Sequence, residues 1–305
     1  NAPKSLELKS KLEANPALTV SLVKGDLTGE PPAPAPQIAG FSSRGPTLAA
    51  GGDLLKPDVA APGVNVLAGV STIGNNGDQF GFMSGTSMAA PHIAGFGALV
   101  LSKQPAWSPA MVKSAMMTTA YPLVNADGSP NVDPFQGGAG HIDSTRVLDP
   151  GLVYNSGIKD WLGFLNGQGV ETGAPQAGTI AARDLNVPSI ALGSLVGEVQ
   201  VKRQLTALVP GMYRPEVNMP GFDVQVEPQS LNFAKAGQTR EVTLTIRNVS
   251  APVGKFSTGT LTWKGPRTVS SPIAIRPVDA QIAPSFSFSS ATGSGSGTIE
   301  LVSGS

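Results

Sequence analysis

Near Arg183 the hydrophobic periodicity of this chain changes, and that change limits it to a two-part architecture. Beyond it, residues 198–208, 222–226, 240–246 and 269–275 are alternating or β-branched runs set apart by Gly, Pro and Asn, as half-buried strands are. The pattern predicts an antiparallel β-sandwich of about 100 residues. Ahead of it, from Ile38 to about Gly169, short apolar runs at 64–68 and 80–83 alternate with helical segments, as strands do beside helices in an α/β layer. The expected fold is therefore α/β over 38–182 followed by an all-β sandwich over 183–284, the sandwich unfolding as a separate cooperative unit.

Two helices are predicted ahead of the change. Residues 87–103 form a long run of apolar and small side chains with Pro91 in the first turn, where a missing N–H costs little, and Gln104-Pro105 ends it. Because Ala89, Ala90, Ile93, Phe96, Leu99 and Leu101 fall on all faces, this helix is expected to be buried throughout. The second has Ser108 as N-cap and Pro109 as its first residue, and runs to about Thr119. A Pro-Pro-Ala-Pro-Ala-Pro connector at 31–36 closes an opening segment, 1–37, in which 18–23 read as β-rich. Residues 285–305 are Ser/Gly-rich around one β-like piece at 298–302 and read as a linker or the start of a further domain.

With 305 residues the chain can hold about two domains. Its charge is low and balanced, 21 basic against 21 acidic residues, so no basic field exists to draw nucleic acid or an anionic membrane. The absence of cysteine excludes a disulfide framework, a thiolate metal site and a cysteine nucleophile. No run of about 18 apolar residues offers a membrane span, and the first eleven residues show no signal peptide. Both ends read as cut from something longer.

The sharpest chemical candidate is the run from Ser84 to His92, Ser-Gly-Thr-Ser-Met-Ala-Ala-Pro-His, in which Ser87 stands where a Gly-containing turn meets the apolar helix. Helix-start N–H groups point outward with partial positive charge. Ser87 can thus offer a hydroxyl to attack a carbonyl and its own N–H to hold the resulting oxyanion. Gly85 lets a substrate backbone come close, Thr86 shapes the same turn, and Met88 follows the serine directly. Read on local physics alone, the same serine is an ordinary helix cap.

Residues 85–92 match without departure the serine signature of the subtilase family, Gly-Thr-Ser-Met-Ala-x-Pro-His, and further blocks resemble one subgroup of it. Those blocks are 41–46, Phe-Ser-Ser-Arg-Gly-Pro; 56–63, Lys-Pro-Asp-Val-Ala-Ala-Pro-Gly; 138–141, Gly-Ala-Gly-His; and 148–154, Leu-Asp-Pro-Gly-Leu-Val-Tyr. That subgroup carries a protease-associated insert, whose tail residues 15–22 resemble, and a fibronectin type III-like domain, resembled by 185–190 and the strands after it. The resemblance implies the C-terminal half of a parallel-sheet catalytic domain, a secreted serine endopeptidase acting on polypeptides, and a catalytic Asp, His and Ser in that chain order with an upstream Asn as second oxyanion donor.

Here that order is incomplete. The two histidines, His92 and His141, both follow Ser87, so the family's base and its Asp are expected in an N-terminal part of the catalytic domain outside this chain. Five residues along a helix place His92 about 140° around the axis from Ser87, which makes it a core histidine, and His141 reads as a loop-packing residue. Asp58 reads as a turn carboxylate capping local amides. A rival order, Ser87, then Asp127 or Asp133, then His141, lacks the Gly-x-Ser-x-Gly elbow of α/β-hydrolases. The isolated chain is therefore expected to be inactive. No metal or organic cofactor is indicated, and neither nucleic acid nor membrane is an expected partner. The alternative is a non-catalytic folding or interaction fragment whose sandwich binds a partner. In that case Tyr213, Phe222, Trp263 and Phe286 would be its anchors, although core positions suit most of them better.

Overall fold

A computed structural model describes residues 2–19, 33–282 and 301–303. The chain divides into two compact units, Asn1–Ala33 and Pro34–Ser305, within the Pro-rich connector. In the first unit, helix α1 (Ala2–Ala14) carries the i,i+4 pairs Lys11–Glu7 at 2.6 Å and Lys9–Glu13 at 3.8 Å. The β-rich stretch at 18–23 lies almost wholly outside the described residues.

The second unit opens with loops and a 3₁₀ turn at Ala49–Gly52, then an antiparallel hairpin of β1 (Val66–Gly69) and β2 (Phe80–Met83). Helix α2 (Thr86–Lys103) follows, then α3 (Pro109–Thr118), on which the Ser108 hydroxyl accepts from the Met111 N–H with Pro109 in the first turn, the expected cap. A small hairpin, β3 (Leu123–Val124) and β4 (Pro130–Asn131), and the short helix α4 (Pro134–Gly137) complete this part. Among the described residues, parallel pairing in this part is limited to a bridge between Ala60 and His141.

Helix α2 departs from the expectation of all-round burial. Val100 is its one buried residue, and it joins Val112, Ala115, Met116, Ile142 and Val147 in a core to which Ile93 and Phe96 add. Leu99 is 65 % and Leu101 38 % exposed. The reason is geometric: α3 and the 142–147 segment cover one face of a helix that is apolar on every face, and among the described residues nothing covers the other.

The rest is a two-sheet sandwich. Strand β5 (Leu152–Tyr154) comes first, followed by helix α5 (Ile158–Gly167) and then by β6 (Ile190–Leu195), β7 (Glu198–Ala207), β8 (Gly211–Asn218), β9 (Phe222–Glu227), β10 (Leu231–Phe233), β11 (Thr239–Asn248), β12 (Ser257–Lys264) and β13 (Val269–Pro277). One sheet runs β10-β8-β12-β13-β6 and the other β5-β7-β11-β9. Their inner faces bury Trp263, Tyr213, Phe233, Leu205, Leu244 and Ile273, while Phe222 packs at the edge, so these aromatics are core residues. Phe286 lies outside the described residues, as does most of the 285–305 segment. The buried Arg203 guanidinium donates to the carbonyls of Val187, Arg183, Lys202 and Ser189, tying the entry loop to β7; burial pulls its pKa down to about 10.

Two features join the sandwich to the part before it. Strand β5 lies ahead of residue 183 yet pairs with β7, and its Tyr154 N–H donates to the buried hydroxyl of Ser114 on α3 at 2.9 Å. On the other sheet, the 3₁₀ turn lies against β6: Asp53 accepts from the Gly193 N–H at 2.8 Å, and Leu55, Ala191 and Ala274 form a small core beside Phe135 and Phe256. Burial raises the Asp53 pKa above the ordinary carboxylate value.

A fragment of residues 150–284 is expected to melt cooperatively, and one starting at 183 to melt at a lower temperature or not cooperatively. Leu152, Val153 and Tyr154 are essentially fully buried, and burying one such side chain contributes about 1.5–3 kcal/mol. Circular dichroism melts of the two fragments decide it. Equal midpoints would mean that β5 is dispensable to the sandwich.

Candidate active site

The turn that carries Ser87 is held from two sides. Gly85 donates its N–H to the Gly63 carbonyl at 2.8 Å, and a Cβ on Gly63 would come 2.9 Å from the Gly85 oxygen and 3.3 Å from Ala89 Cβ. The Pro62-Gly63 step thus lets two backbones meet. On the other side, the Ser84 hydroxyl accepts from the Asn65 N–H at 2.8 Å and donates to Asn65 Oδ1 at 3.3 Å. Asn65 has φ 51°, the left-handed region that Asn tolerates better than most residues. Nothing in the sequence reading assigned a role to Asn65 or Ser84. The available signal was an Asn two positions after Pro62-Gly63, where the chain must turn.

Gly85 is the extended N-cap, and α2 begins at Thr86, one residue earlier than expected. The N–H groups of Met88 and Ala89 turn back to the Gly85 carbonyl, while those of Thr86 and Ser87, as first-turn donors, have no acceptor among the described residues. Ser87 is exposed, and its hydroxyl has no partner among those residues. Met88 is half-buried beside it, with its sulfur 3.5 Å from where a Cβ on Gly85 would stand. An unengaged hydroxyl and an unengaged N–H on one exposed residue at a helix start can, respectively, attack a carbonyl and hold the oxyanion that forms.

Neither histidine is brought to Ser87. The His92 ring is half-buried and donates through Nδ1 to the Met88 carbonyl at 2.7 Å, one turn back on its own helix. His141 donates through Nδ1 to the Ile142 carbonyl at 2.9 Å and packs its ring on Tyr121, 5.0 Å between centroids. His141 does line a pocket of about 260 Å³ beside the start of α2, with Phe41, Ser42, Gly63, Gly85 and Thr86.

The carboxylates are engaged elsewhere. Asp58 does not cap backbone amides as expected; its carboxylate pairs with Lys113 at 2.9 Å and Lys56 at 2.5 Å, since the two ammonium groups reach it from α3 and from the neighbouring loop. Burial lowers the Lys113 pKa against the opposing pull of Asp58. Asp127 accepts from Ser129 in the turn between β3 and β4, and Asp133 caps α4 by accepting from the Phe135 N–H at 2.9 Å. Neither is bonded to His141, so the rival serine, acid and histidine order has no assembled counterpart among the described residues. No described helix is long and apolar enough to cross a membrane.

Comparison with known proteins bears on most of the chain. Residues 1–141 match the profile of the Subtilase family, and residues 184–275 match that of a Fibronectin type-III domain. Among curated proteins, Subtilisin-like protease SBT1.7 of Arabidopsis thaliana is 37% identical over 298 residues, an alignment covering 86% of this chain and 38% of that protein. Subtilisin-like protease SBT4.14 of the same plant is 39% identical over 274 residues, covering 79% and 36%, and SBT5.3 is 37% identical over 276 residues, covering 80% and 35%. The chain therefore spans little more than a third of the length of these relatives.

Proposed function

This chain belongs to the subtilase family, with a fibronectin type-III domain behind its catalytic segment, and on that premise we propose that Ser87 is the nucleophile of a secreted serine endopeptidase whose substrates are polypeptides. The observation that carries the reading is the exposed first turn of α2, where the hydroxyl and N–H of Ser87 are both unengaged among the described residues, behind a turn fixed by Gly63 and Asn65.

In this mechanism the Ser87 oxygen attacks a peptide carbonyl while a histidine takes its proton, and the Ser87 N–H donates to the new oxyanion. Collapse breaks the C–N bond, the amine leaves with the histidine proton, and water then hydrolyses the acyl-enzyme. Gly85 and Thr86 hold the turn. The histidine and the Asp that orients it belong to residues outside 1–305, because neither His92 nor His141 is hydrogen-bonded to the Ser87 hydroxyl and each ring is turned by Nδ1 to a carbonyl away from it.

The test uses residues 1–305 and a fluorophosphonate probe. The isolated chain is expected not to label, because an unassisted serine hydroxyl is a weak nucleophile. Mixing in the separately expressed N-terminal part should turn on labelling that maps to Ser87 and is lost in Ser87→Ala. Labelling of Ser87 in the isolated chain, or none in the intact protein, defeats the reading.

Met88 supplies a further expected result. Peroxide treatment of the intact protein should lower its activity as the sulfur beside Gly85 gains an oxygen, and Met88→Ala should resist the same treatment. Equal inactivation of both would remove Met88 from the site.

A further inference from the structure

The turn that follows β11 carries chemistry that the protease site does not use. Residues 248–250 read Asn-Val-Ser, an Asn-x-Ser triplet with no proline in the middle, which is the acceptor sequence for N-linked glycosylation. In the fold the triplet stands where the sandwich turns from β11 into β12. Asn248 is the last paired residue of β11, Val249 is 64 % exposed, and Ser250 is exposed.

Asn248 is half-buried, and its side-chain amide keeps a hydrogen for the modification. Its Oδ1 accepts from the Ala251 N–H at 2.9 Å, and its Nδ2 donates to the Ala251 carbonyl at 3.2 Å. That uses one of the two hydrogens on Nδ2, and a glycosylated amide keeps one. A turn-forming role accounts for Asn248 alone. It does not account for Ser250, whose hydroxyl has no hydrogen-bond partner among the described residues. The same loop exposes Val253 at 50 %, so a glycan here would shield two apolar side chains from water.

We propose that Asn248 is an N-glycosylation site, an inference that rests on the reading of the chain as secreted. The donor is an oligosaccharide linked through pyrophosphate to a polyisoprenyl lipid. The bond from sugar C1 to the pyrophosphate oxygen breaks, the lipid pyrophosphate leaves, C1 bonds to Nδ2 of Asn248, and one Nδ2 proton is lost. The Ser250 hydroxyl belongs to the acceptor sequence and holds no other partner among the described residues.

The experiment is peptide mapping of the intact protein secreted from plant cells. The peptide containing Asn248 is expected to carry a glycan that a peptide N-glycosidase releases, leaving an aspartate in its place. Ser250→Ala should abolish it while keeping both Asn248 bonds and the melting temperature, and Ser250→Thr should preserve it. Secreted protein with an unmodified Asn248 peptide overturns the proposal, as does a glycan that survives Ser250→Ala. Probe labelling of Ser87 is scored on the same sample. A glycan without labelling sinks the protease reading and leaves this site standing, and labelling without the glycan does the reverse.

Discussion

Ser87→Ala in the intact protein is expected to lower peptidase turnover by about 10⁶, the loss known for subtilisin, a member of the same family, when its serine is removed. The fold should not change. Ser87 is exposed and its hydroxyl holds nothing among the described residues, so truncation leaves no buried group unpaired. Its N–H survives the substitution, which separates the two roles: the variant keeps an oxyanion donor and loses the attacking atom. Turnover of a peptide substrate, with a circular dichroism melt as the folding control, is the measurement. A variant within tenfold of the parent would place the nucleophile elsewhere.

The largest expected effect on stability is at the joint between the two parts. A Cβ on Gly193 would stand 1.9 Å from the Gly51 oxygen and 2.9 Å from Gly52 Cα, all backbone atoms that no side-chain rotation can move. Gly193→Ala must therefore push the 3₁₀ turn off β6. That breaks the bond from Gly193 to Asp53 and opens the small core of Leu55, Ala191 and Ala274. A loss on the order of 3 kcal/mol is expected, or a fall of about 6–12 °C in melting temperature for a protein of this size. Asp53→Asn is the control: it keeps an acceptor for the Gly193 N–H while removing a carboxylate whose burial is unfavourable, and should change stability little. If Gly193→Ala melts with the parent, the contact is not formed in solution.

What the sequence disclosed follows from how local the cause is. The start of α3 was legible because Ser108 and Pro109 cap it within a single turn. Strands β7, β9 and β11 were legible because one face is wet and alternation survives, and β13, buried on both faces, because Val269, Ile273 and Ile275 are β-branched. Strand β6 was not, since five of its six residues are buried and no alternation remains, and β8 was hidden by Pro215 within it. At the site, the turn from Gly85 to Ser87 could be read from its own residues. The grip of Asn65 on Ser84 spans 19 positions, and the pairing of Lys113 with Asp58 spans 55, so neither has a local signature. Composition likewise made α2 look wholly buried, but which of its faces is covered depends on partners elsewhere in the fold.

Strand β5 sets a rule for recombination. Because Leu152–Tyr154 fills a place in the sandwich while its Tyr154 backbone is held by Ser114 of α3, the boundary drawn by periodicity near Arg183 is not a clean place to splice. A chimera that takes a foreign sandwich from residue 183 onward would inherit a β5 fitted to another neighbour. One that cuts before Leu152 must bring a foreign β5 whose backbone N–H still reaches the buried Ser114 hydroxyl. Lineages exchanging this domain as a cassette must therefore carry both sides of that contact together, and the two parts should change in step rather than be shuffled as independent blocks.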